Sequence, residues 1–466
     1  MVRFLVYFLA FGLLGFSGWI GRTFGDPSID QIVYHLRYAE GAAIEMGQIF
    51  LLTFLAEVVV FPLLFALAAA ALHTALERWR PHWARHVLRA PPVAAWATGL
   101  GALLLQFSVF SYAAAYFGPD LFSLAYRDPR TVRIDRPAAG RNLVLIYVES
   151  LESTYGDSAV FGRDLLAPLR GTGWSFSRYR PAPGATWTIA GMVATQCGVP
   201  LRIYSEYDIR HKEGAKAFLP GAACLGDLLQ ERGYRNVFLE GAPLSFSGKG
   251  TFLRDHGYAE TWGRDEWERE GVKRGDLNEW GLYDGPLFER ALARLAALHR
   301  SKAPFNLTLL TIDTHNPNGF LGPDCRGRGA KDFSGIVSCD AAQIAEFIAT
   351  ARQQGLLENT VVVVVGDHLA VPNPLYAQLQ SAPERGIFNL VLTDEPAKKD
   401  RDEIEPFDLY PTLLELLGFR VDGGRLGLGY AAVHHPGLAP PADRAVPVAG
   451  LAGSAAYSAL WRSPAD

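Results

Sequence analysis

The chain has 466 residues, and its 44 Lys and Arg residues against 48 Asp and Glu residues give a formal net charge of −4. This length allows about two or three domains with a large core. A charge so close to neutral gives no indication of a nucleic-acid partner, and we expect none. The distribution of the apolar residues along the chain is more informative than the charge.

Three long apolar runs occupy the first quarter of the chain, at residues 4–20, 49–72 and 93–117. Each run is about long enough for an α-helix to cross the hydrocarbon core of a bilayer. We therefore predict a membrane domain with three transmembrane helices over residues 1–117. A cleaved signal peptide is the alternative for the first run, which is longer than a usual signal-peptide core. Glu57 lies within the second run, as either a functional group or a residue paired with another helix.

The loop between the second and third runs, residues 73–92, is strongly basic. Short basic loops stay on the cytoplasmic side of a membrane. The loop therefore predicts that the amino terminus is cytoplasmic, and that residues 21–48 and everything after residue 117 lie outside. The C-terminal two thirds of the chain would then be extracytoplasmic. The residues behind this prediction are four arginines and one glutamate: Arg78, Arg80, Arg85, Arg89 and Glu77.

The four cysteines all lie in the part that is predicted to be exported. An even number of cysteines in an oxidising compartment indicates two disulfides. Of the three possible pairings we favour Cys197 with Cys224 and Cys325 with Cys339, with buried free thiols as the alternative.

Residues 118–141 are rich in Pro, Gly and charged residues, which is typical of a linker. Beyond them, short apolar runs rich in β-branched residues lie at 142–148, 306–312 and 360–365. Such runs indicate strands buried on both faces, as in a parallel sheet. Helical patterns separate these runs, so the sequence predicts an α/β domain over residues 142–466.

Acidic and histidine residues stand where these predicted strands end: Glu149 after the first, Asp313 and His315 after the second, and Asp367 and His368 after the third. Ligands of open α/β sheets bind at the carboxyl ends of the strands. Carboxylates and an imidazole that meet there can hold a divalent cation. Glu149 or Asp367 taken alone could equally be a helix cap or an ion-pair partner.

The stretch "PGATWTIAGMVATQCGVP", residues 183–200, contains a candidate nucleophile. A threonine hydroxyl attacks poorly until a base or a metal activates it. Thr188 directly precedes an apolar helical pattern, so we expect it at a helix N-terminus, where amide groups favour a phosphate-like anion. A plain N-cap is the structural alternative for Thr188, and Thr186 is the competing nucleophile.

Five segments resemble a known family: "NLVLIYVESLESTYGD", "PGATWTIAGMVATQCGVPL", "LTIDTHNPNGF", "GDHLAVPN" and "FDLYPTLLELLG". They are similar to the phosphoglycerol transferases of the alkaline-phosphatase and sulfatase superfamily. The greatest similarity is to the phosphoglycerol transferase I group, which modifies periplasmic glucans, and lipoteichoic acid synthases are more distant. The resemblance covers roughly residues 120 to 430 and implies membrane helices followed by an extracytoplasmic α/β/α domain.

The resemblance also implies roles for individual residues. Glu149, Asp367 and His368 would bind one divalent metal, for which we expect Mn²⁺ with Mg²⁺ or Zn²⁺ as alternatives. Thr188 would be both a metal ligand and the nucleophile. In sulfatases a modified cysteine opens the matching helix and a glycine follows ten residues later, as Gly198 does here. His315 would hold phosphate or assist proton transfer, unless it is only a turn residue.

One segment departs from the pattern of the lipoteichoic acid synthases, which bind glycerol phosphate partly through a histidine, a tryptophan and an arginine. Glu240, Ser247 and Lys249 stand in those places here. We therefore expect Lys249, or Arg254 further along, to be the cation that binds the phosphate. A surface lysine beside a glycine turn is the alternative.

The expected function is transfer of sn-glycerol-1-phosphate from phosphatidylglycerol to a periplasmic glucan, by an enzyme held at the lipid bilayer. One alternative is a phosphoethanolamine transferase or a sulfatase-like hydrolase, although Met192 stands where a sulfatase would have an arginine. The other alternative is a membrane sensor that binds a headgroup without turnover.

Overall fold

The computed structural model describes residues 2–25, 27–29, 31–32, 48–79, 90–107, 109–137, 140–202, 217–394, 399–441, 444 and 446–463. The chain divides into two compact units, Met1–Ala115 and Tyr116–Asp466. The division lies within two residues of the end predicted for the membrane domain, residue 117.

The first unit is helical. Two helical stretches are long and apolar enough, by length and composition, to cross a membrane: Val2–Phe24, and Leu51–Trp79, which contains a π-helical part. Over the third apolar run the structure describes two helices, one of 17 residues that ends at Gln106 and another that begins at Val109, and residue 108 between them lies outside the described residues. The polar Gln106 is the last residue of the first of these two helices, and its side-chain amide donates to the carbonyl of Gly25 at 3.4 Å. The helices are α1 (Val2–Phe24), α2 (Gln48–Phe54), a π-helical stretch (Leu55–Val60), α3 (Phe61–Trp79), α4 (Ala90–Gln106) and α5 (Val109–Tyr116).

Glu57 lies in the π-helical stretch and forms an ion pair with Arg22 of α1. This pairing agrees with the structural alternative for Glu57. The two helices approach closely, because a Cβ on Gly15 would lie 2.2 Å from the carbonyl oxygen of Glu57. Residues 33–47 of the predicted outer loop and the three arginines of residues 80–89 lie outside the described residues, so the orientation stays a prediction.

A six-stranded sheet forms the centre of the second unit, with the strand order β5-β4-β6-β2-β7-β8. The first five of these strands are parallel to their neighbours and β8 is antiparallel to β7. The three predicted strands are β2, β6 and β7, and their side chains are buried almost throughout, so the α/β prediction is confirmed. The strands of this sheet are β2 (Asn142–Val148), β4 (Arg235–Glu240), β5 (Tyr258–Trp262), β6 (Phe305–Leu310), β7 (Thr360–Gly366) and β8 (Asn389–Leu392).

Helices and short two-residue strands surround the sheet. The helices are α6 (Leu121–Ala125), α7 (Ser158–Phe161), α8 (Thr188–Cys197), α9 (Leu225–Gln230), α10 (Lys249–Asp255), α11 (Arg264–Glu270), α12 (Asp284–Ser301), α13 (Pro323–Gly327), α14 (Phe333–Gln353), α15 (Tyr376–Ser381), α16 (Pro406–Leu416) and α17 (Ala455–Leu460). The short strands are β1 (Ile134–Asp135), β3 (Arg178–Tyr179), β9 (Glu403–Ile404), β10 (Arg420–Val421), β11 (Arg425–Leu426) and β12 (Gly429–Tyr430). Both favoured disulfides, Cys197–Cys224 and Cys325–Cys339, are present.

The segment for which we predict a linker, residues 118–141, is packed as part of the second unit. Strand β1 pairs with β10, and the backbones of Arg127 and Gly427 exchange two hydrogen bonds of 2.8 Å. Phe122 of α6 is buried against Tyr457, with ring centroids 5.3 Å apart. The aromatic and apolar residues between the prolines and charges therefore hold this segment in place.

Candidate active site

The carboxyl ends of β6, β2 and β7 bring the predicted site residues together. Val148 of β2 pairs with Gly366 of β7, and Tyr147 pairs with Leu310 of β6. The residues that follow each strand therefore emerge side by side at one edge of the sheet. Thr314, in the segment after β6, donates its hydroxyl to the carbonyl of Glu149 at 2.6 Å.

Glu149, Asp367 and His368 form a buried cluster in which one ligand atom from each residue lies within 4.8 Å of the others. His368 Nε2 is 3.6 Å from Glu149 Oε1 and 3.5 Å from Asp367 Oδ2. The other ring nitrogen, Nδ1, lies 2.7 Å from the carbonyl of Leu369, which can only accept a hydrogen bond. Nδ1 therefore carries the proton in the neutral ring, and the lone pair of Nε2 faces the two carboxylates.

The two oxygens of Asp367 have different surroundings. Oδ1 accepts hydrogen bonds from the backbone amides of Ser150 and His368, at 2.8 and 2.9 Å. Oδ2 is buried and has no hydrogen-bond partner in the part of the chain that the structure describes. A buried carboxylate oxygen without a donor fits a cation, and two carboxylates with one imidazole suit Mn²⁺ or Zn²⁺. The residues present therefore fit a single divalent ion.

The electrostatics of the cluster depend on this proximity. Burial, and then the charge of Glu149, raise the pKa of Asp367 to about 7. Burial would also raise the pKa of Glu149, but the imidazoles of His315 and His368 lower it below its ordinary value. Burial opposes the charged form of His368, yet the carboxylates of Asp367 and Glu149 raise its pKa. The proximity of the two carboxylates thus favours a positive charge between them, either a proton or a cation.

Thr188 is the first residue of α8, and its hydroxyl donates to Glu149 Oε2 at 3.2 Å. The first turn of this helix lies directly on Asp367, because a Cβ on Gly191 would come within 2.0 Å of the Asp367 carbonyl oxygen. Only glycine allows this approach. Thr186 is exposed, and of the two threonines it is Thr188 that donates to the cluster.

His315 lies beside the cluster, near enough to Glu149 and His368 for their charges to affect its pKa, which burial lowers. Its Nδ1 lies 2.7 Å from the carbonyl of Asn316, so Nε2 is the basic nitrogen of the neutral ring. The ring of Trp280 covers His315, with centroids 4.2 Å apart.

Trp280 is not apparent from the sequence as a site residue, because it reaches His315 from a loop between α11 and α12. The side chain of Asn278 shapes this loop by accepting from the amides of Trp280 and Gly281, at 2.7 and 2.8 Å. Gly281 has no room for a side chain, since a Cβ there would lie 1.9 Å from the Gly241 carbonyl oxygen. The loop therefore holds the indole in a defined position.

The two predicted phosphate-binding cations have different positions. Lys249 is buried, and its Nζ lies 2.6 Å from Glu240 Oε2. Its Nζ lies 5.4 Å from the ring centroid of Phe246, and Phe246 packs against Trp280, the residue that covers His315. It is therefore not the surface lysine of the alternative reading. Arg254 is exposed on α10 and contacts Thr251 at 3.5 Å, and no contact joins it to the cluster among the described residues.

Asp313 follows β6 as predicted, but it does not join the cluster. Its Oδ2 accepts from the amide of Asp284 at 3.2 Å, and Asp284 accepts from the amides of Ile312 and Asp313 at 2.8 Å each. Asp284 and Asp313 thus cap each other's backbone, an arrangement that the sequence does not reveal. Burial raises the pKa of Asp284 to about 7 and raises that of Asp313 well above its ordinary value.

A second group of potential metal ligands consists of Cys224, Asp227 and His256. Cys224 is bonded to Cys197, so its sulfur is not a thiolate ligand. Asp227 accepts from the amide of Cys224 at 2.8 Å and pairs with His256 at 2.7 Å. This group therefore has a structural role at the start of α9.

Comparison with known proteins agrees with this geometry. A family model described as Sulfatase matches residues 141–419. The chain is 35% identical over 371 residues to Phosphoglycerol transferase I of Citrobacter koseri, which covers 76% of this chain and 47% of that protein. It is 34% identical over 370 residues to Phosphoglycerol transferase I of Salmonella paratyphi B, with coverage of 76% and 48%. The chain thus spans about half the length of these curated relatives.

Among solved structures, a protein in the alkaline phosphatase superfamily from Vibrio parahaemolyticus aligns with a TM-score of 0.51 and 20% identity, over 68% of this chain and 80% of that chain. This likeness concerns the fold alone. The predicted resemblance to the phosphoglycerol transferase I group and the predicted fold class are both confirmed. Since the family model covers more than half of the chain, the protein belongs to the sulfatase family.

Proposed function

We propose that the protein is a membrane-anchored phosphoglycerol transferase that moves sn-glycerol-1-phosphate from phosphatidylglycerol to a periplasmic glucan. The observation that carries the proposal is the hydroxyl of Thr188, which opens a helix and donates to Glu149 within a cluster of two carboxylates and an imidazole. The names of the curated relatives support the type of transfer. The glucan acceptor is inferred from the resemblance to their group.

Glu149, Asp367 and His368, together with Thr188, would hold one divalent ion. We propose Mn²⁺, with Mg²⁺ and Zn²⁺ as alternatives. When bound, such an ion lowers the pKa of a coordinated alcohol and offsets negative charge on a phosphate. The orphaned Oδ2 of Asp367 supports this assignment.

The residues of the chain supply the remaining chemistry in two displacements. In the first, Thr188 Oγ1 forms a bond to the phosphorus, its proton passes to the cluster through Glu149, and the bond from phosphorus to the diacylglycerol oxygen breaks. In the second, a hydroxyl of the acceptor forms a bond to the phosphorus and the bond to Thr188 breaks. Because burial keeps the His315 ring neutral near pH 7, Nε2 carries no proton in the first displacement, and the leaving diacylglycerol oxygen would take its proton from water. In the second displacement Nε2 would accept the proton of the attacking acceptor hydroxyl, and Thr188 would recover its proton from the cluster.

Two further features would hold the phosphate. Thr188 opens α8, and the amide groups in the first turn of a helix favour an anion. Lys249, whose side chain is held by its ion pair with Glu240, would add a positive charge. Arg254 stays a weaker proposal, because its contacts are with its own helix.

The membrane helices have a direct purpose in this scheme. The donor lipid cannot leave the bilayer, so an anchored enzyme meets it without a diffusional search. The two apolar helices support anchoring. We propose a multi-pass protein of the bacterial inner membrane whose second unit is periplasmic, and the two disulfides support an oxidising compartment.

A labelling experiment tests the proposal. The purified protein with Mn²⁺ is mixed with phosphatidylglycerol that carries radiolabelled glycerol in its headgroup, quenched with acid, and separated by gel electrophoresis. We expect label on the wild type and on Thr186→Ala, and none on Thr188→Ala. Label retained by Thr188→Ala would disprove the nucleophile. A preference for headgroup-labelled phosphatidylethanolamine would instead indicate phosphoethanolamine transfer, and an absence of diacylglycerol release from either lipid would favour a sensor.

A further inference from the structure

The exposed apolar side chains of the second unit are concentrated in one short segment. Among the described residues from Tyr116 onward, all four exposed large hydrophobic side chains lie within nine positions. Scattered exposed leucines are normal on a protein surface, but a concentrated patch marks an interaction site. The four residues and their exposed fractions are Tyr116 at 45%, Phe117 at 85%, Leu121 at 38% and Leu124 at 72%.

Helix α6 exposes Leu121 and Leu124 on one side, while its other side packs against the rest of the second unit. Leu121 and Leu124 are three residues apart, so they lie on the same side of the helix. Between them Phe122 is buried against Tyr457, and the ring of Tyr126 stacks on Phe122 with centroids 4.9 Å apart. The opposite side of the helix is thus fixed to the second unit, and the apolar side is directed outward by the fold.

Further contacts hold both ends of this helix. The carboxylate of Asp120 accepts from the amide of Ser123 at 3.0 Å. The carbonyl of Ala125 accepts from the guanidinium of Arg425 at 2.9 Å. The exposure of Leu121 and Leu124 is therefore not a consequence of a frayed segment, and the sequence supplies two large apolar residues at positions where a soluble surface would have polar ones.

We propose that residues 116–124 are a bilayer contact of the second unit, which rests Phe117, Leu121 and Leu124 in the boundary between headgroups and acyl chains. The occupant follows from continuity, because this segment begins at Tyr116, the last residue of the apolar helix α5, and continues the third apolar run of the sequence. Aromatic residues favour this boundary, and the exposed Arg127 keeps a positive charge beside the leucines, because its guanidinium donates to the carbonyls of Leu124 and Tyr126 at 3.5 and 3.2 Å. The contact sets the distance of the second unit from the membrane surface.

Fluorescence quenching tests this proposal without any measurement of activity. All four cysteines are in disulfides, so a cysteine introduced into the chain is the one reactive thiol. The full-length Leu124→Cys variant is labelled with bimane and placed in nanodiscs whose lipids carry a nitroxide on the acyl chain near the headgroup. Leu121→Cys provides a second position on the same side of α6, in case one variant folds poorly.

Arg269→Cys is the matched control, because the side chain of Arg269 on α11 is also 72% exposed. We expect the nitroxide lipid to remove most of the bimane emission at positions 124 and 121 and little of it at position 269. Equal quenching at all three positions would overturn the proposal. Emission at 124 that ignores the nitroxide but changes with the number of protein copies per nanodisc would also overturn it, since a second copy would then cover the patch.

Discussion

The buried pair of Lys249 and Glu240 allows a structural role to be separated from a role in binding phosphate. Lys249→Met removes the cation that lies 2.6 Å from a carboxylate whose side chain is 0% exposed. Removing one partner of a buried ion pair costs about 3–5 kcal/mol, because the remaining charge has lost its compensation. We therefore expect a fall of several degrees in the unfolding temperature of the detergent-solubilised protein.

The double variant Lys249→Met/Glu240→Gln removes both charges, and replacement of a whole buried pair is often close to neutral. We expect it to regain most of the lost stability. Its rate of diacylglycerol release should stay low if Lys249 holds the phosphate, while the exposed Lys273→Met control should match the wild type in both measurements. A double variant that is both stable and fully active would refute a role for Lys249 in substrate binding. A single variant as stable as the wild type would refute the energetic argument.

Three other outcomes are expected. Trp280→Ala should move the acidic limb of the pH profile of kcat/KM to higher pH, because burial lowers the pKa of His315 and the indole of Trp280 covers its ring. Trp280→Phe should retain the profile. An acidic limb that Trp280→Ala leaves unchanged would contradict this expectation. The unfolding temperature should fall as pH rises from about 4 to about 7, because buried Asp284 and Asp340 keep protons that the unfolded chain has lost, and Asp340→Asn should flatten that dependence. Mn²⁺ at a hundredfold excess over its Kd should stabilise the protein by about 2.7 kcal/mol, as followed by thermal unfolding, and Asp367→Asn should abolish this gain.

Three neighbouring strands at the centre of the sheet could be predicted from the sequence, but β4 and the two edge strands could not. Strands β2, β6 and β7 are unbroken apolar runs because both of their faces are covered. Strand β8 has four residues, and β5 is only partly buried, so neither has a pattern that distinguishes it from a loop. Strand order and register depend on contacts between distant segments, which periodicity does not encode.

The same distinction applies to the candidate site. Glu149, Asp367 and His368 follow predicted strands, so parallel geometry alone brings them together. Asp313 has the same kind of position, yet the amide of Asp284 binds its carboxylate. Trp280 comes from a loop whose course is set by tertiary packing. The roles assigned to these residues remain predictions for the experiments above.

The third apolar run and the segment after it show where composition misleads. Pro, Gly and charged residues indicate a linker at 118–141, but composition does not reveal that Phe122 meets Tyr457, more than three hundred residues away in sequence. Likewise, the hydropathy of residues 93–117 does not reveal that the described part of this run is assigned to two helices, one ending at Gln106 and one beginning at Val109.

The bond between Cys197 and Cys224 joins the last residue of α8 to the residue that precedes α9. The helix whose first residue is Thr188 is thus tethered at its opposite end, across 27 positions of sequence. We therefore expect this disulfide to help fix the direction of α8, and with it the position of the Thr188 hydroxyl. Protein prepared in a reducing cytoplasm would have the same acidic and histidine side chains, but α8 would lack this covalent tether.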